Sequence, residues 1–389
     1  MYKLRDYQQK ASDAAVSFFA NKAKKNNAIM VLPAGAGKSL VIADIAARLN
    51  GHTLVFQPSK EILEQNYLKI CSYGVLDCSI YSASFGRKEI SRITFATIGS
   101  VINHPELFQH FQNIIIDECH LVNPKEGMYK SFLSILKCKV LGLTATPYRL
   151  SSSRDFGSML KFITRTRPCI FSEVIYQVQI STLLDMGYLA KLDYYAMNPI
   201  GWNELNLKVN TTGADYTDKS VIREYERIDF YGFLVHIVQR LMNPKSGVRR
   251  KGILVFIRFL KEAERLTWSI PGTAIVSGET PKKERERVLE AFKAGEIPVV
   301  ANVGVLTTGF DYPELDTIVM GRPTMSLALW YQIVGRAIRP HPNKEAGWVV
   351  DLCGNIKRFG EVKDLRLVDG GNGKWAVYSN NRQLTNVRF

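Results

Sequence analysis

The sequence predicts an α/β protein made of two tandem parallel-sheet lobes, and three observations carry that prediction. Short β-branched apolar runs alternate with helical stretches along the whole chain. At 389 residues the chain is longer than one ordinary hydrophobic core supports, so two domains are expected. The two halves show the same alternation on either side of a polar stretch, Ile200 to Phe230.

The first half places strands at Ala28–Leu32, Thr53–Phe56, Ile93–Ala96, Asn113–Ile116 and Val140–Leu143. The second places them at Ile253–Ile257, Thr273–Val276, Pro298–Ala301, Thr317–Met320 and Trp348–Asp351. Apolar runs buried on both faces and separated by helices indicate parallel sheets. One intervening helix is well marked: Thr280 as N-cap, Pro281 at the first helical position, Val288, Leu289 and Phe292 as apolar face, Gly295 as stop. The polar stretch, with a turn at Thr211–Gly213, reads as irregular chain plus a short helix. The expected division is residues 1–186 for the first lobe, 187–360 for the second, and 361–389 for a tail with a Gly-Gly-Asn-Gly turn and a basic, aromatic end.

Composition bounds the function. Hydrophobic residues at 46% and charged residues at 22% are those of a soluble globular protein. The longest apolar runs, such as Ile253–Ile257, fall far short of the roughly 20 residues that span a bilayer, and the charged, amphipathic first twenty residues carry no signal-peptide core, so no membrane partner is expected. A net charge of +15 favours a polyanionic partner. The six cysteines form no Cys-x-x-Cys pair and each lies in or beside an apolar stretch. They read as core thiols in a reducing compartment, the cytoplasm, since a zinc site needs closer spacing.

Pro33-Ala34-Gly35-Ala36-Gly37-Lys38-Ser39 follows an expected strand and opens an expected helix, the context a phosphate-binding loop requires. Gly35 and Gly37 permit backbone conformations that let successive N–H groups, those of Ala34 and Ala36 among them, converge on phosphate oxygens. The helix N-terminus adds favourable dipole charge. Lys38 reaches β- and γ-phosphates, and Ser39 supplies a hydroxyl to Mg²⁺. The strict eight-residue pattern begins with Gly, where this chain has Leu32. Downstream, Asn113–Ile116 runs into Asp117-Glu118-Cys119-His120. Two adjacent carboxylates at the end of a buried strand are costly unless a cation waits there. Asp117 is suited to Mg²⁺ and Glu118, pointing the other way, to polarising an attacking water.

With these motifs in order, the chain resembles the superfamily 2 helicases from Leu4 to Asp351. Leu4-Arg5-Asp6-Tyr7-Gln8 resembles the upstream motif that reads adenine, which implies Gln8 on the base edge and Tyr7 or Arg5 stacked on the base. Phe56-Gln57-Pro58-Ser59 and Phe95-Ala96-Thr97-Ile98-Gly99-Ser100 resemble strand-end loops that grip a nucleic-acid backbone. Thr144-Ala145-Thr146-Pro147 resembles the motif that, with His120, links hydrolysis to lobe movement. Val255-Phe256, Ser277-Gly278-Glu279-Thr280 and Thr307-Thr308-Gly309-Phe310-Asp311 fall where the family places further contacts: Phe256, Gly278, Thr280, Thr307 and Thr308 toward nucleic acid, Gly309 and Asp311 toward the nucleotide. Gln332-Ile333-Val334-Gly335-Arg336-Ala337-Ile338-Arg339 resembles the motif carrying arginine fingers. The resemblance implies two RecA-like lobes closing on Mg-ATP, with Lys38, Glu118, Gln332, Arg336 and Arg339 catalytic. Arg336 and Arg339, three apart, are expected on one helix face.

The gripping loops hold Ser, Thr and Gly, which position phosphates without reading sequence, so backbone binding independent of sequence is expected, by a monomer. The basic runs Lys282–Arg287 and Arg249–Lys251 read as solvated faces. Asp-Glu-Cys-His, Thr-Ala-Thr and a Gln-Ile-Val start to the last motif depart from DEAD-box RNA helicases and resemble bacterial RadD, phage UvsW and the motors of restriction translocases, which act on DNA. RadD continues into a cysteine-rich zinc-binding region that is absent up to Phe389, so the chain reads as a minimal or shortened motor core. An RNA helicase and an ATP-switched clamp without turnover are the alternative readings.

Overall fold

The computed structural model describes residues 3–387 apart from 24–25, 137, 154–156, 198–204, 212–213, 246, 248, 251 and 307–311. The first lobe is built on β1 (Ala28–Val31), β2 (Thr53–Phe56), β3 (Cys78–Ser82), β4 (Arg87–Lys88), β5 (Ile93–Ala96), β6 (Asn113–Asp117) and β7 (Lys139–Thr144), followed by a hairpin of β8 (Tyr148–Ser153) and β9 (Gly157–Phe162), then β10 (Glu173–Gln177). Eight of these form one sheet in the order β10-β1-β7-β6-β2-β5-β3-β4, parallel except for the edge pair β3–β4. This order sets the carboxyl ends of β1, β7, β6, β2 and β5 side by side, the edge where ligands of open α/β sheets bind. Ile114, Ile115, Ile116, Leu141, Leu143 and Val55 are wholly buried, as the apolar runs require of strands covered on both faces. Helix α1 (Asp6–Ala20) packs on this sheet because Tyr7, Ala11, Ala15 and Phe18 fall on one side of it. Helices α2 (Lys38–Arg48) and α3 (Lys60–Ser72) follow β1 and β2.

The second lobe is a wholly parallel sheet of β11 (Lys191–Ala196), β12 (Ile253–Ile257), β13 (Thr273–Ser277), β14 (Val299–Val303), β15 (Thr317–Gly321) and β16 (Ala346–Asp351), in the order β11-β16-β15-β12-β14-β13. Every expected strand is present, with ends displaced by at most two residues. The marked helix spans Lys282–Lys293 with Pro281 itself at the N-cap. Thr280, expected to cap it, instead accepts the Ser277 N–H at 2.9 Å and closes the preceding turn. In the polar stretch the short helix is Asp218–Arg227, capped by Thr217. The expected turn at Thr211–Gly213 lies partly outside the described residues. Asp215 ties this stretch to the sheet's carboxyl edge through Arg258 at 3.2 Å and Arg322 at 3.4 Å.

The tail is a small antiparallel sheet of β17 (Leu365–Asp369), β18 (Trp375–Ser379) and β19 (Arg382–Gln383). It returns to the first lobe. The Gln179 side chain pairs both ways with the Leu367 backbone, at 2.8 and 3.0 Å. Trp375 stacks on Phe162, and the Asn386 side-chain Oδ1 accepts the Phe162 N–H at 3.1 Å. Leu365, Val377 and Leu384 are buried in the same core as β1. No described helix is long and apolar enough to cross a membrane.

Candidate functional site: a nucleotide cleft between the lobes

The loop after β1 turns twice through left-handed glycines, Gly35 at φ 77° and Gly37 at φ 79°, and delivers Lys38 and Ser39 to the first turn of α2. The loop is held on three sides. The Tyr7 hydroxyl and Gln8 Nε2 donate to the Ala36 carbonyl at 2.8 and 2.9 Å. From the second lobe, the Tyr331 hydroxyl accepts the Ala34 N–H at 3.2 Å. A Cβ on Gly35 would lie 2.8 Å from Leu189 Cδ2, and one on Gly37 would lie 2.5 Å from Gln8 Nε2.

At the end of β6, Asp117 is buried and receives Asn66 Nδ2 at 3.4 Å. Burial and the adjacent Glu118 carboxylate push its pKa up to about 7. Glu118 adopts φ 49°, ψ 48°, a left-handed conformation that costs a non-glycine residue roughly 1–2 kcal/mol and turns its side chain away from that of Asp117. Its Oε1 lies 3.2 Å from Lys38 Nζ and its Oε2 lies 3.2 Å from His120 Nδ1. Burial disfavours the Glu118 charge, but Lys38 and His120 outweigh it and hold the carboxyl down to about 2.

His120 carries the connection onward. Its Nδ1 lies 2.9 Å from Thr144 Oγ1 and 3.2 Å from Thr146 Oγ1, and its Nε2 lies 3.3 Å from Gln332 Nε2. An amide nitrogen only donates, so His120 Nε2 is placed as the acceptor from Gln332, while Nδ1 faces Glu118 and the threonines. One imidazole therefore joins a carboxylate of the first lobe to an amide of the second.

Gln332 lies in the last turn of the helix Leu327–Val334, which is capped at Gly335. Arg336 and Arg339 are thus not on a helix face, as their spacing suggested; they occupy the turns beyond it, where the chain follows the cleft wall. Both line the cleft all the same. It holds about 810 Å³, walled by Arg5, Gly35, Lys38, Ser39, Asp117 and Glu118 from one lobe and Gln332, Arg336 and Arg339 from the other. Burial lowers the Arg336 pKa to about 10, and the Glu118 carboxylate opposes that fall.

The upstream motif is placed differently from expectation. Gln8 is 3% exposed, with Oε1 accepting the Arg5 N–H at 2.9 Å and Nε2 on the loop, so it buttresses the loop from beneath rather than facing the cleft. Tyr7 does the same. The cleft edge belongs to Arg5, whose guanidinium carbon is 4.1 Å from the ring centre of Tyr188.

The residues expected to grip a nucleic-acid backbone sit on neighbouring strand ends. Ser59 caps α3 by accepting the Ile62 N–H at 3.4 Å, with Pro58 half-buried before it. Thr97 and Ser100 hydroxyls are 2.9 Å apart, Ser100 also accepts the Ala83 N–H at 3.0 Å, and Gly99 is exposed. Across the cleft Gly278 is exposed and Thr280 half-buried at the end of β13. Phe256 departs from expectation: it is 1% exposed within β12, its ring in the core, and cannot reach a nucleic acid. Thr307, Thr308, Gly309 and Asp311 lie outside the described residues.

The residues fit a nucleotide with its cation. The left-handed glycine turns set Lys38 and Ser39 in the cleft wall, and Asp117 is a buried carboxyl at a strand end. The described residues hold no cluster of three or more His, Cys, Asp or Glu arranged for a metal. That suits Mg²⁺, which takes one or two carboxylates and completes its shell with water and phosphate. Sequence reasoning missed Asn66, Tyr188 and Tyr331; the only signal was position, Tyr331 beside Gln332 and Tyr188 at the lobe boundary.

Fold and site make a nucleotide cleft between two parallel-sheet lobes, and comparison with known proteins supports a superfamily 2 helicase. Residues 1–149 match the family of the type III restriction enzyme res subunit, and residues 234–341 match the helicase conserved C-terminal domain. The chain is 25% identical to a 51.5 kDa protein of a Lactococcus phage, over 81% of this chain and 63% of that one. It is 27% identical to the DNA 3'-5' translocase XPB2 of Sulfurisphaera tokodaii, over 82% and 75% respectively. Among solved structures, the ATP-dependent Type ISP restriction-modification enzyme LlaBIII bound to DNA shares the fold with a TM-score of 0.67 at 18% identity, covering 90% of this chain and 28% of that one. The chain spans about half the length of other curated relatives it matches, 51% for two of them.

Proposed function

We propose that the chain is an ATP-driven helicase or translocase acting on DNA, of the DExH type and akin to RadD and UvsW, working as a cytoplasmic monomer. One observation carries the reading: a single cleft brings Lys38, Asp117 and Glu118 of one lobe against Gln332, Arg336 and Arg339 of the other. The loop amides and Lys38 hold the triphosphate, and Lys38 exchanges its Glu118 contact for the β- and γ-phosphates. Mg²⁺, held by Asp117 and Ser39, would neutralise phosphate charge. Glu118, kept ionised, orients and deprotonates the attacking water. Arg336 and Arg339 meet the charge that spreads over the γ-phosphoryl oxygens, so turnover requires the lobes to be together and product release lets them part. His120, bonded to both Glu118 and Gln332, passes the state of the site to the second lobe. Pro58, Ser59, Thr97, Gly99, Ser100, Gly278 and Thr280 grip the backbone without reading bases, and DNA is favoured because the DNA translocase XPB2 aligns with most of this chain.

ATP turnover measured with single-stranded DNA, forked DNA, and RNA of the same length tests this. Stimulation by DNA above RNA is expected, weakening with salt at a log–log slope of about −0.7 per phosphate neutralised on a single strand. Stimulation by RNA alone would replace the substrate; absence of turnover with every substrate would end the reading.

A further inference from the structure

We infer that Tyr188, in the segment joining the two lobes, positions the nucleotide base by backing the Arg5 guanidinium, whose opposite face then stacks on the purine. The inference rests on the nucleotide site proposed above.

A guanidinium is planar and has two faces, and it stacks on aromatic surfaces. One face of Arg5 is covered: its guanidinium carbon lies 4.1 Å from the Tyr188 ring centre, which is stacking distance. Arg5 and Tyr188 both line the cleft. Two further contacts hold the pair in place. The Tyr7 ring supports Tyr188 from the side, with centroids 5.7 Å apart and planes tilted by 44°. The Arg5 N–H donates to Gln8 Oε1 at 2.9 Å, which fixes the backbone from which the arginine projects. A long side chain fixed in this way offers a base a ready platform, with less rotamer freedom to lose on binding. Tyr7 and Gln8 are themselves occupied with the Ala36 carbonyl, so the stack Tyr188–Arg5–purine is the arrangement the cleft edge supports.

The same short segment also reaches the rest of the site. Gly187 turns it at φ 69°. Leu189 packs over the phosphate loop, 2.8 Å from where a Gly35 Cβ would stand. The Ala190 N–H donates to the Ile338 carbonyl at 2.8 Å, one residue before Arg339. Tyr188 is thus held in a segment that is itself fixed against the phosphate loop and the arginine-bearing turn.

The test uses the full chain with Tyr188→Ala and Tyr188→Phe, measuring KM and kcat for ATP and inhibition by inorganic tripolyphosphate, which has phosphates but no base. The expected result is a KM raised roughly 3- to 30-fold in Tyr188→Ala, the size of a partly desolvated cation–π contact, with a much smaller change in kcat. Tyr188→Phe, which keeps the ring, should restore the KM, and tripolyphosphate should inhibit all three proteins equally. An unchanged KM in Tyr188→Ala, equal weakening of tripolyphosphate, or a Phe variant as impaired as the Ala variant would each overturn the inference while leaving the ATPase reading intact. A wild-type chain that neither binds nor turns over ATP would overturn both.

Discussion

Adding one methyl group at Gly335 should separate chemistry from binding. The backbone there is ordinary, φ −58° and ψ −13°, so alanine can adopt it, and the closest contact within its own turn is the Tyr331 carbonyl oxygen at 3.0 Å from the new Cβ. The obstacle is across the cleft. The new Cβ would stand 2.7 Å from Ala34 Cβ, whereas carbon atoms rest at about 3.5–4.0 Å. Both atoms are fixed rigidly to their backbones, so neither can swing aside, and the second lobe must withdraw by roughly 1 Å at this point. Arg336 is the next residue and moves with it. A displacement of about 1 Å in a positioned catalytic group is worth on the order of 10²-fold in rate. Gly335→Ala should therefore lose about 10²-fold in kcat under saturating ATP, with little change in KM, because the triphosphate is held by the first lobe. The melting temperature should stay within about 4 °C, the shift that 1 kcal/mol can produce. Removing the opposing methyl with Ala34→Gly should recover much of the loss. A Gly335→Ala enzyme with wild-type kcat would refute the reasoning, since it would mean that the two lobes do not meet at this distance during turnover.

Glu118→Gln should bind Mg-ATP but lose about 10²–10⁴-fold in steady-state turnover, the usual worth of a general base, as read by nucleotide binding alongside ATPase rate. Arg336→Ala should lose about 10³-fold or more in kcat with a far smaller change in nucleotide affinity; equal losses would instead indicate ground-state binding. Gln179→Ala leaves the Leu367 N–H and C=O without their partner, at about 1–3 kcal/mol for each group that stays buried, so the tail sheet should become protease-sensitive below the global unfolding transition.

The parallel sheets were legible because central strands such as Ile114–Ile116 and Ile253–Ile257 are apolar on both faces. Edge strands lack it. Lys191–Ala196 has one buried residue, Leu192, among exposed and half-buried ones, and Glu173–Gln177 is half-buried along its whole length, so neither announced itself. The tail sheet was hidden for the same reason, since its apolar positions find their core on a lobe more than a hundred residues away. Motif chemistry located the phosphate loop and the acidic pair because their function is local in sequence. Orientation was not local: Phe256 turns inward, and the chain leaves its helix before Arg336. Tyr188 and Tyr331 acquire their partners, Arg5 and Ala34, only through the closing of one lobe on the other.

The return of β17 and β18 to the first lobe means that the polypeptide crosses between the lobes twice, once near Tyr188 and again beyond Gly360. A door on a single pin can twist and sag; on two it swings about one line. The anchored second crossing would leave rotation about the axis joining both points as the motion of least resistance, so that each closing would return the arginine turn along the same arc toward the acidic pair.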